Sequence, residues 1–109
     1  MNVLQASNKL RLNVITMPCP EREITGGYTG DLLSWVMGRV GEGHAWITIM
    51  SNINITAVAS LSDVACIILA EGVSLDSDVI ATATSKSINI LSSEMSAYEL
   101  CVNLSELLK

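Results

Sequence analysis

Apolar and polar positions along the chain follow two periods, one typical of strands and one typical of helices. Residues 64–70 are apolar at every position, which is typical of a strand buried on both faces of a parallel sheet. Leu33, Val36, Met37 and Val40 instead recur at helical spacing. The whole pattern predicts helices over residues 3–10, 31–39, 55–61 and 77–87 and from 96 onward, and strands over 12–17, 24–25, 45–50, 64–70 and 88–91.

The order of these elements predicts the fold class. Strands alternate with helices, which indicates a layered α/β domain with a mainly parallel central sheet. We expect residues 1–109 to form a single domain, because no linker, repeat or low-complexity segment interrupts them. In a parallel sheet the loops that follow the strands meet at one edge, where ligands commonly bind. The predicted loops of this edge are 26–30, 51–54, 71–72 and 92–94.

The first of these loops is rich in glycine and is the main candidate binding site. A helix is predicted directly after it, and main-chain N–H groups at the start of a helix favour anions. The alternative is a tight turn that needs glycine for its backbone conformation and for close packing. The candidates for binding a phosphate-like group are Thr25, Gly26, Gly27, Thr29 and Gly30.

Other polar residues of the chain give weaker signals. Asn52 and Asn54, in the loop after the strand 45–50, are candidates for hydrogen bonds to a ligand, and turn and helix-cap chemistry is the alternative. His44 is the only histidine, and no Cys, Ser or carboxylate motif accompanies it as a catalytic partner. An enzyme would need His44 to converge with one of the scattered carboxylates in a cleft. The sequence therefore names no catalytic residue.

Trp35 is the candidate residue for an interface. On a helical wheel it lies about 150° from the centre of the apolar stripe of the predicted helix 31–39. A tryptophan that faces away from the core is typical of an interface anchor, so we expect Trp35 to support self-association or the docking of a protein partner. The alternative is a helix that is buried on two sides within one chain.

Composition excludes several classes of protein. Half of the residues are apolar, but the longest apolar run covers only residues 64–70, whereas a membrane-spanning helix needs about 20 residues. The first residues are not a basic stretch followed by an apolar one, so we expect a cytoplasmic protein without a membrane partner. The three cysteines lie far apart with no Cys-x-x-Cys spacing, which predicts reduced thiols and no metal site.

The charge of the chain excludes further classes. The formal net charge is −5, and the six Lys and Arg residues form no run. Nucleic acid needs a basic surface, so we expect no nucleic-acid partner. No lysine follows a glycine, so the phosphate-binding motif of P-loop kinases is absent. These absences favour a protein without catalytic activity and without a bound cofactor.

Six segments of the chain, taken in order, resemble the DRTGG domain family. The motif that gives the family its name stands here as Arg22-Glu-Ile-Thr-Gly-Gly27, so its leading charged residues differ. The resemblance covers nearly the whole sequence, and the matching segments are Ile24–Ser34, Trp46–Ile49, Asn54–Ala59, Ile67–Gly72, Ile90–Ser92 and Ser96–Glu99.

The resemblance implies both a fold and a function. The fold is a three-layer α/β/α domain with a mainly parallel central sheet of four to five strands, similar to the N-terminal domain of HPr kinase/phosphorylase. Domains of this family are regulatory and often dimeric, and they have no established catalytic activity. The kinase chemistry of HPr kinase/phosphorylase belongs to a different domain. We therefore expect a homodimer that binds a small anionic, nucleotide- or phosphate-like ligand at the glycine-rich loop. The alternative is an interaction module that docks a partner enzyme through Trp35 without a small ligand.

Overall fold

Five helices and five strands make up the computed structural model, which describes residues 1–109. The elements are, in chain order, α1 (Val3–Leu10), β1 (Asn13–Thr16), β2 (Gly26–Thr29), α2 (Leu33–Arg39), β3 (His44–Thr48), α3 (Asn54–Ser62), β4 (Cys66–Leu69), α4 (Ser77–Ser85), β5 (Ile90–Ser92) and α5 (Ala97–Leu107).

The five strands form one sheet in the order β1-β5-β4-β3-β2. β2, β3, β4 and β5 pair in parallel, and β1 pairs with β5 in the antiparallel sense. β1 and β2 are therefore the two edge strands. This mainly parallel sheet confirms the predicted fold class. None of the helices is both long and apolar enough to span a membrane.

Apolar residues on both faces of the sheet hold three layers together. Successive side chains of a strand point to opposite faces, so Ala45 and Ile47 of β3 pack with α1 and α5, whereas Trp46 packs with α2, α3 and α4. Because both faces are covered, β4 is buried at every position. The arrangement is the three-layer α/β/α fold that the family resemblance implied.

The glycine-rich segment is a strand rather than a loop, so the prediction of a loop over residues 26–30 is wrong. β2 pairs with β3 from Gly26 opposite His44 to Thr29 opposite Ile47. Glycine has a low preference for strands, so local sequence gives little sign of this element. Pairing with the buried strand β3 overrides that local preference.

Helix α2 begins at Leu33, two residues after its predicted start. The Asp31 carboxylate accepts hydrogen bonds from Thr48 Oγ1 at 2.8 Å and from the main-chain N–H of Ile49 at 3.1 Å. These bonds hold residue 31 against the end of β3. The glycines of β2 therefore do not stand directly at a helix start, which was the geometry on which the predicted anion loop depended.

A capping box opens the last helix, as the Ser-x-x-Glu spacing of Ser96 and Glu99 favours. Ser96 Oγ accepts from the main-chain N–H of Glu99 at 3.1 Å, and Glu99 Oε1 accepts from the N–H of Ser96 at 3.3 Å. Two free N–H groups of α5 are satisfied in this way. The cap fixes the start of the helix that packs against β2 and β3.

Candidate functional site

An open cleft of 380 Å³ lies between β2 and the C-terminal half of α5. Its volume falls within the range of about 300–1,000 Å³ that is usual for small-molecule sites. Most of its wall is apolar, which is also usual for such sites. The residues that matter for its chemistry are Gly27, Thr29, Ile47, Leu104, Ser105 and Lys109.

Gly27 lies at the wall of the cleft, where the absence of a side chain lets Leu104 of α5 pack close to β2. A Cβ on Gly27 would lie 3.1 Å from Leu104 Cδ2, so even one extra carbon would press on the opposite wall. The ring of Tyr28 lies on the other face of the sheet, beside Gly30 and Val36. Tyr28 also lines the cleft, and it must do so with its main chain.

Polar groups stand at the rim of the cleft. Thr29 and Ser105 are exposed hydroxyl residues, and Lys109 is an exposed cation. Lys109 Nζ lies 3.1 Å from Glu106 Oε1, and both side chains are largely exposed. An exposed ion pair contributes only about 0–1 kcal/mol, so this ammonium group can exchange its carboxylate for another anion at little cost. The rim thus offers one cation and two hydroxyl groups above an apolar wall.

Gly26 and Gly41 enclose the imidazole ring of His44. A Cβ on Gly26 would lie 3.0 Å from His44 Nε2, and one on Gly41 would lie 2.7 Å from the same atom. His44 Nδ1 accepts the main-chain N–H of Gly41 at 3.0 Å. The ring is not a wall of the cleft, and no carboxylate bonds to it. The convergence that an enzyme would need at His44 is therefore not formed.

The structure separates the residues predicted for the ligand site. Only Gly27 and Thr29 line the cleft. Thr25 Oγ1 donates to the carbonyl of Glu42 at 3.0 Å, and the carbonyl of Gly30 accepts the indole N–H of Trp46 at 3.0 Å. Thr25 and Gly30 thus hold β2 in place beside β3.

The two asparagines lie in the loop after β3 and do not line the cleft. Asn52 Oδ1 accepts the main-chain N–H of Asn54 at 2.9 Å, which is turn chemistry. Asn54 is the first residue of α3, and the cap position belongs to Ile53. The expectation that Asn54 caps this helix is therefore wrong, because the loop holds it inside the first turn.

The carboxyl edge of the sheet carries acidic groups. Asp31 lies at the end of β3, and the Glu94 carboxylate lies close enough to Gly72 that a Cβ there would meet it at 2.5 Å. Like charges repel, so these carboxylates oppose an anion at this edge. No group of three or more His, Cys, Asp or Glu residues is placed to hold a metal ion.

Residues of α5 and Lys109 just after it complete the cleft, and sequence reasoning missed them as site residues. Leu104 belongs to the apolar stripe of the last helix and is typical of a core residue. Ser105 and Lys109 give no local signal at all. Only the packing of α5 across β2 brings them to Gly27 and Thr29.

Trp35 lies on the exposed side of α2, where 57% of its surface is accessible. The guanidinium carbon of Arg39 stands 4.1 Å from the centre of the Trp35 ring, a cation–π contact that holds the ring on the surface. Leu32, one turn earlier, is 60% exposed. Helix α2 is therefore buried on one side only within this chain.

Arg22, from the motif that resembles the family signature, has a structural contact. Its Nη1 donates to Asp63 Oδ1 at 2.9 Å and its Nη2 donates to the carbonyl of Asp63 at 2.8 Å. The hydrogen bond from Arg22 holds the pKa of Asp63 below its usual range. Arg22 thus ties the segment before β2 to the C-terminal end of α3, away from the cleft.

Comparisons with known proteins inform the fold. No protein-family model matches this sequence, and no curated protein matches it either. The structure is similar to the crystal structure of the CBS and DRTGG domains of the regulatory region of Clostridium perfringens pyrophosphatase, complexed with its activator diadenosine tetraphosphate. The TM-score is 0.66 at 14% sequence identity. The match covers 93% of this chain and 46% of that chain, so this chain spans about half of its length. The predicted DRTGG-domain-like fold is thereby confirmed, and at this identity the likeness concerns the fold alone.

Proposed function

We propose that residues 1–109 form a regulatory module without catalytic activity, which binds a small anionic ligand in the cleft between β2 and α5. The observation that carries this proposal is the cleft itself, which is open to solvent and lined by Gly27 and Leu104. We place the module in the cytoplasm, in keeping with its three free cysteines.

The walls of the cleft suggest the chemistry of the ligand. A flat apolar or aromatic group of the ligand would lie against the apolar wall formed by Ile47, Leu104 and Leu108. An anionic group at the other end of the ligand meets Lys109 at the rim, with the hydroxyls of Thr29 and Ser105 as further partners. A nucleotide combines such a base with such a phosphate, and we propose this ligand class.

The likeness to the pyrophosphatase region supports a regulatory role by analogy of fold. That protein is a regulatory region, and its crystal structure contains a nucleotide activator. Function does not follow from fold alone, so the ligand of this chain has to be measured.

The test is a thermal-shift screen of the purified protein against nucleotides, dinucleotides, sugar phosphates and acyl phosphates. A ligand at about a hundred times its dissociation constant stabilises the folded state by about 2.7 kcal/mol. For a chain of this size we expect a rise in Tm of about 10 °C. A screen in which no compound raises the Tm contradicts the proposal.

Two variants locate the site of any ligand that is found. Gly27→Val fills the cleft against Leu104, so we expect it to abolish the shift in Tm. Asn52→Ala is the matched control at the other predicted position, and it should keep the full shift because Asn52 lies outside the cleft. If Asn52→Ala abolished the shift in Tm and Gly27→Val kept it, the ligand site would lie in the loop after β3.

The second candidate function is association through the Trp35 face, with a second copy or with a partner enzyme. The exposed ring of Trp35 beside exposed Leu32 favours it. Trp35→Glu should change the elution volume or abolish capture of a partner, and should leave ligand binding intact. An unchanged elution volume together with unchanged capture would remove this candidate.

A further inference from the structure

The outer side of β2 has main-chain groups without a neighbouring strand, because β2 is an edge strand. The N–H of Gly30 donates to the carbonyl of Ile47 in β3 at 3.3 Å. The main-chain groups of successive residues in a strand face alternate sides, so the even-numbered residues of β2 bond to β3. The N–H and C=O groups of Gly27 and Thr29 consequently face outward, and both residues are exposed.

The same two residues line the cleft between β2 and α5. Several peptide-binding domains add an extended segment to an exposed sheet edge, and pockets beside that edge receive its alternate side chains. A side chain opposite Gly27 on an added strand would lie on the face of the sheet that carries Leu104 and Leu108. Glycine within a strand commonly marks a close approach of another main chain. The cleft therefore has the form of a groove for an extended peptide.

The edge of β2 lacks the features that commonly protect edge strands from pairing. These features are charge, proline, a bulge or a covering element. Residues 26–30 contain no charge and no proline, and β2 pairs with β3 in a regular register. β1, at the other edge, has an irregular register and packs against α4, where the hydroxyls of Thr16 and Thr84 share a hydrogen bond. The β2 edge is the one that is open to a further strand.

The charge of the cleft indicates which kind of segment fits. Lys109 is the only charged residue among those that line it, and its ammonium group pairs with the exposed Glu106. A carboxylate of the bound segment complements this cation. The β2 strand of a second copy brings no carboxylate, because residues 26–30 are uncharged. A partner rich in acidic side chains is repelled by a chain of net charge −5, whereas a chain terminus brings a single carboxylate.

We propose that the β2 edge binds the carboxyl-terminal tail of a partner protein as an added strand, with the terminal carboxylate at Lys109. The outward N–H and C=O groups of Gly27 and Thr29 pair with the main chain of the tail, which gives about four hydrogen bonds. An apolar side chain of the tail lies in the cleft against Leu104 and Leu108. Because β2 has only four residues, a short tail is enough to cover it.

The tail site also gives the module a means of regulation, and in this respect the inference rests on the proposed function. A tail and a small anionic ligand would use the same apolar wall and the same ammonium group of Lys109. The two therefore exclude each other. A ligand shifts an equilibrium toward the state that it binds, so a rising concentration of the small ligand releases the partner.

The first experiment selects tails from a library of random heptapeptides that are displayed with free carboxyl termini. We expect enrichment of tails with apolar residues at alternate positions. An enriched heptapeptide is then synthesised as a free acid and as a carboxyl-terminal amide, and fluorescence polarisation measures the binding of each to the full chain. The acid should bind about three- to fivefold more tightly, as an exposed ion pair allows. A library without enriched tails overturns the proposal, and so does equal affinity of acid and amide.

Amide exchange on the unaltered chain tests the strand pairing. The heptapeptide should slow exchange at the amides of Gly27 and Thr29, which face outward in the free chain. The amide of Gly30 is bonded to Ile47 in both states, so it serves as the internal reference and should not change. A bound peptide that leaves the first two amides fast overturns strand addition. Slow exchange at these amides in concentrated protein without peptide would assign the edge to a second copy and overturn the proposal.

Lys109→Gln removes the cation at the rim of the cleft. We expect it to weaken binding of the free acid by about three- to fivefold and to leave binding of the amide unchanged. Lys86→Gln is the matched control, because it makes the same change at the exposed C-terminal cap of α4. It should keep the full difference between acid and amide. Equal behaviour of the two variants overturns the role of Lys109.

Failure of this inference is distinguishable from failure of the proposed function. A nucleotide that raises the Tm of a protein to which no tail binds overturns the tail site and leaves the cleft as a small-ligand site. A tail that slows the Gly27 and Thr29 amides supports strand addition even when no small compound raises the Tm. A nucleotide that binds together with the tail overturns their mutual exclusion.

Discussion

At the scale of single residues, the glycines around β2 and β3 make room for neighbouring side chains. Gly26 and Gly41 lie against the ring of His44, and Gly27 lies against Leu104. The sequence shows that glycines are concentrated here. It does not show which side chains approach them, because those contacts join residues from different elements. The hypothesis of a glycine loop is therefore replaced by one of close packing, with only Gly27 left at a cleft.

Gly41→Ala should lower the free energy of unfolding by about 1–3 kcal/mol, because its Cβ would overlap the imidazole of His44. Gly38→Ala is the matched control, since no heavy atom lies within 4 Å of a Cβ at that helical position. We expect Gly38→Ala to stabilise the protein by about 0.5–1 kcal/mol. Urea unfolding measures the free energy of unfolding of both variants. An unchanged midpoint for Gly41→Ala would refute the packing explanation.

Asp63→Asn should lower stability at pH 7 by less than about 1 kcal/mol, because its pair with Arg22 is exposed to solvent. Asparagine tolerates the φ of +54° at this position, so the change removes charge and little else. The hydrogen bond from Arg22 lowers the pKa of Asp63 in the folded state. The contribution of the Asp63 carboxylate to the free energy of unfolding is therefore present above about pH 4 and is lost as the pH falls through the folded-state pKa.

Urea midpoints of the two proteins at pH 7 and in acid test this dependence. The difference between the wild-type chain and Asp63→Asn should shrink below about pH 4. A difference that stays constant with pH would mean that the carboxylate charge contributes nothing.

At the scale of elements, the local sequence pattern predicts the helices but does not predict the edge strand β2. The periodicity predicts α1 with its observed bounds, and the Ser96 capping box marks the start of α5. β2 has no apolar alternation, so only its pairing with β3 makes it a strand. The cleft lies between β2 and α5. The sequence therefore predicts the helix that forms one wall of the cleft and does not predict the strand that forms the other.

Ser96→Ala should destabilise the protein by about 0.5–2 kcal/mol, because the cap of α5 is lost. Ser105→Ala, on the exposed side of the same helix, should change stability by less than about 0.5 kcal/mol. Thermal unfolding followed by circular dichroism distinguishes the two. Equal effects at both serines would show that the cap does not stabilise α5.

At the scale of the whole molecule, one sheet separates two cores of similar size. β4 lies in the middle of that sheet and has a covered face on each side. Opening either core exposes β4, so the two cores are expected to unfold together. Cys66, fully buried in β4, reports on this event.

Cys66 should react with a thiol reagent only when the whole chain unfolds. Burial raises the pKa of its thiol to about 12, so no thiolate is present in the native state near neutral pH. Cys19 and Cys101 are half-buried and should react first. Mass spectrometry of labelled protein counts the modified sites. Modification of all three cysteines at one rate under native conditions would contradict this order.

The sequence by itself determined the alternation of strands and helices, the buried central strand and the outward position of Trp35. These follow from hydrophobic periodicity, which acts within one element and requires no knowledge of its neighbours. Only the tertiary structure decided that residues 26–29 form an edge strand, that Gly27 faces α5, and that Lys109 stands at the rim of the same cleft. Those facts depend on contacts between residues that are distant in the chain, and local propensity carries no information about such contacts.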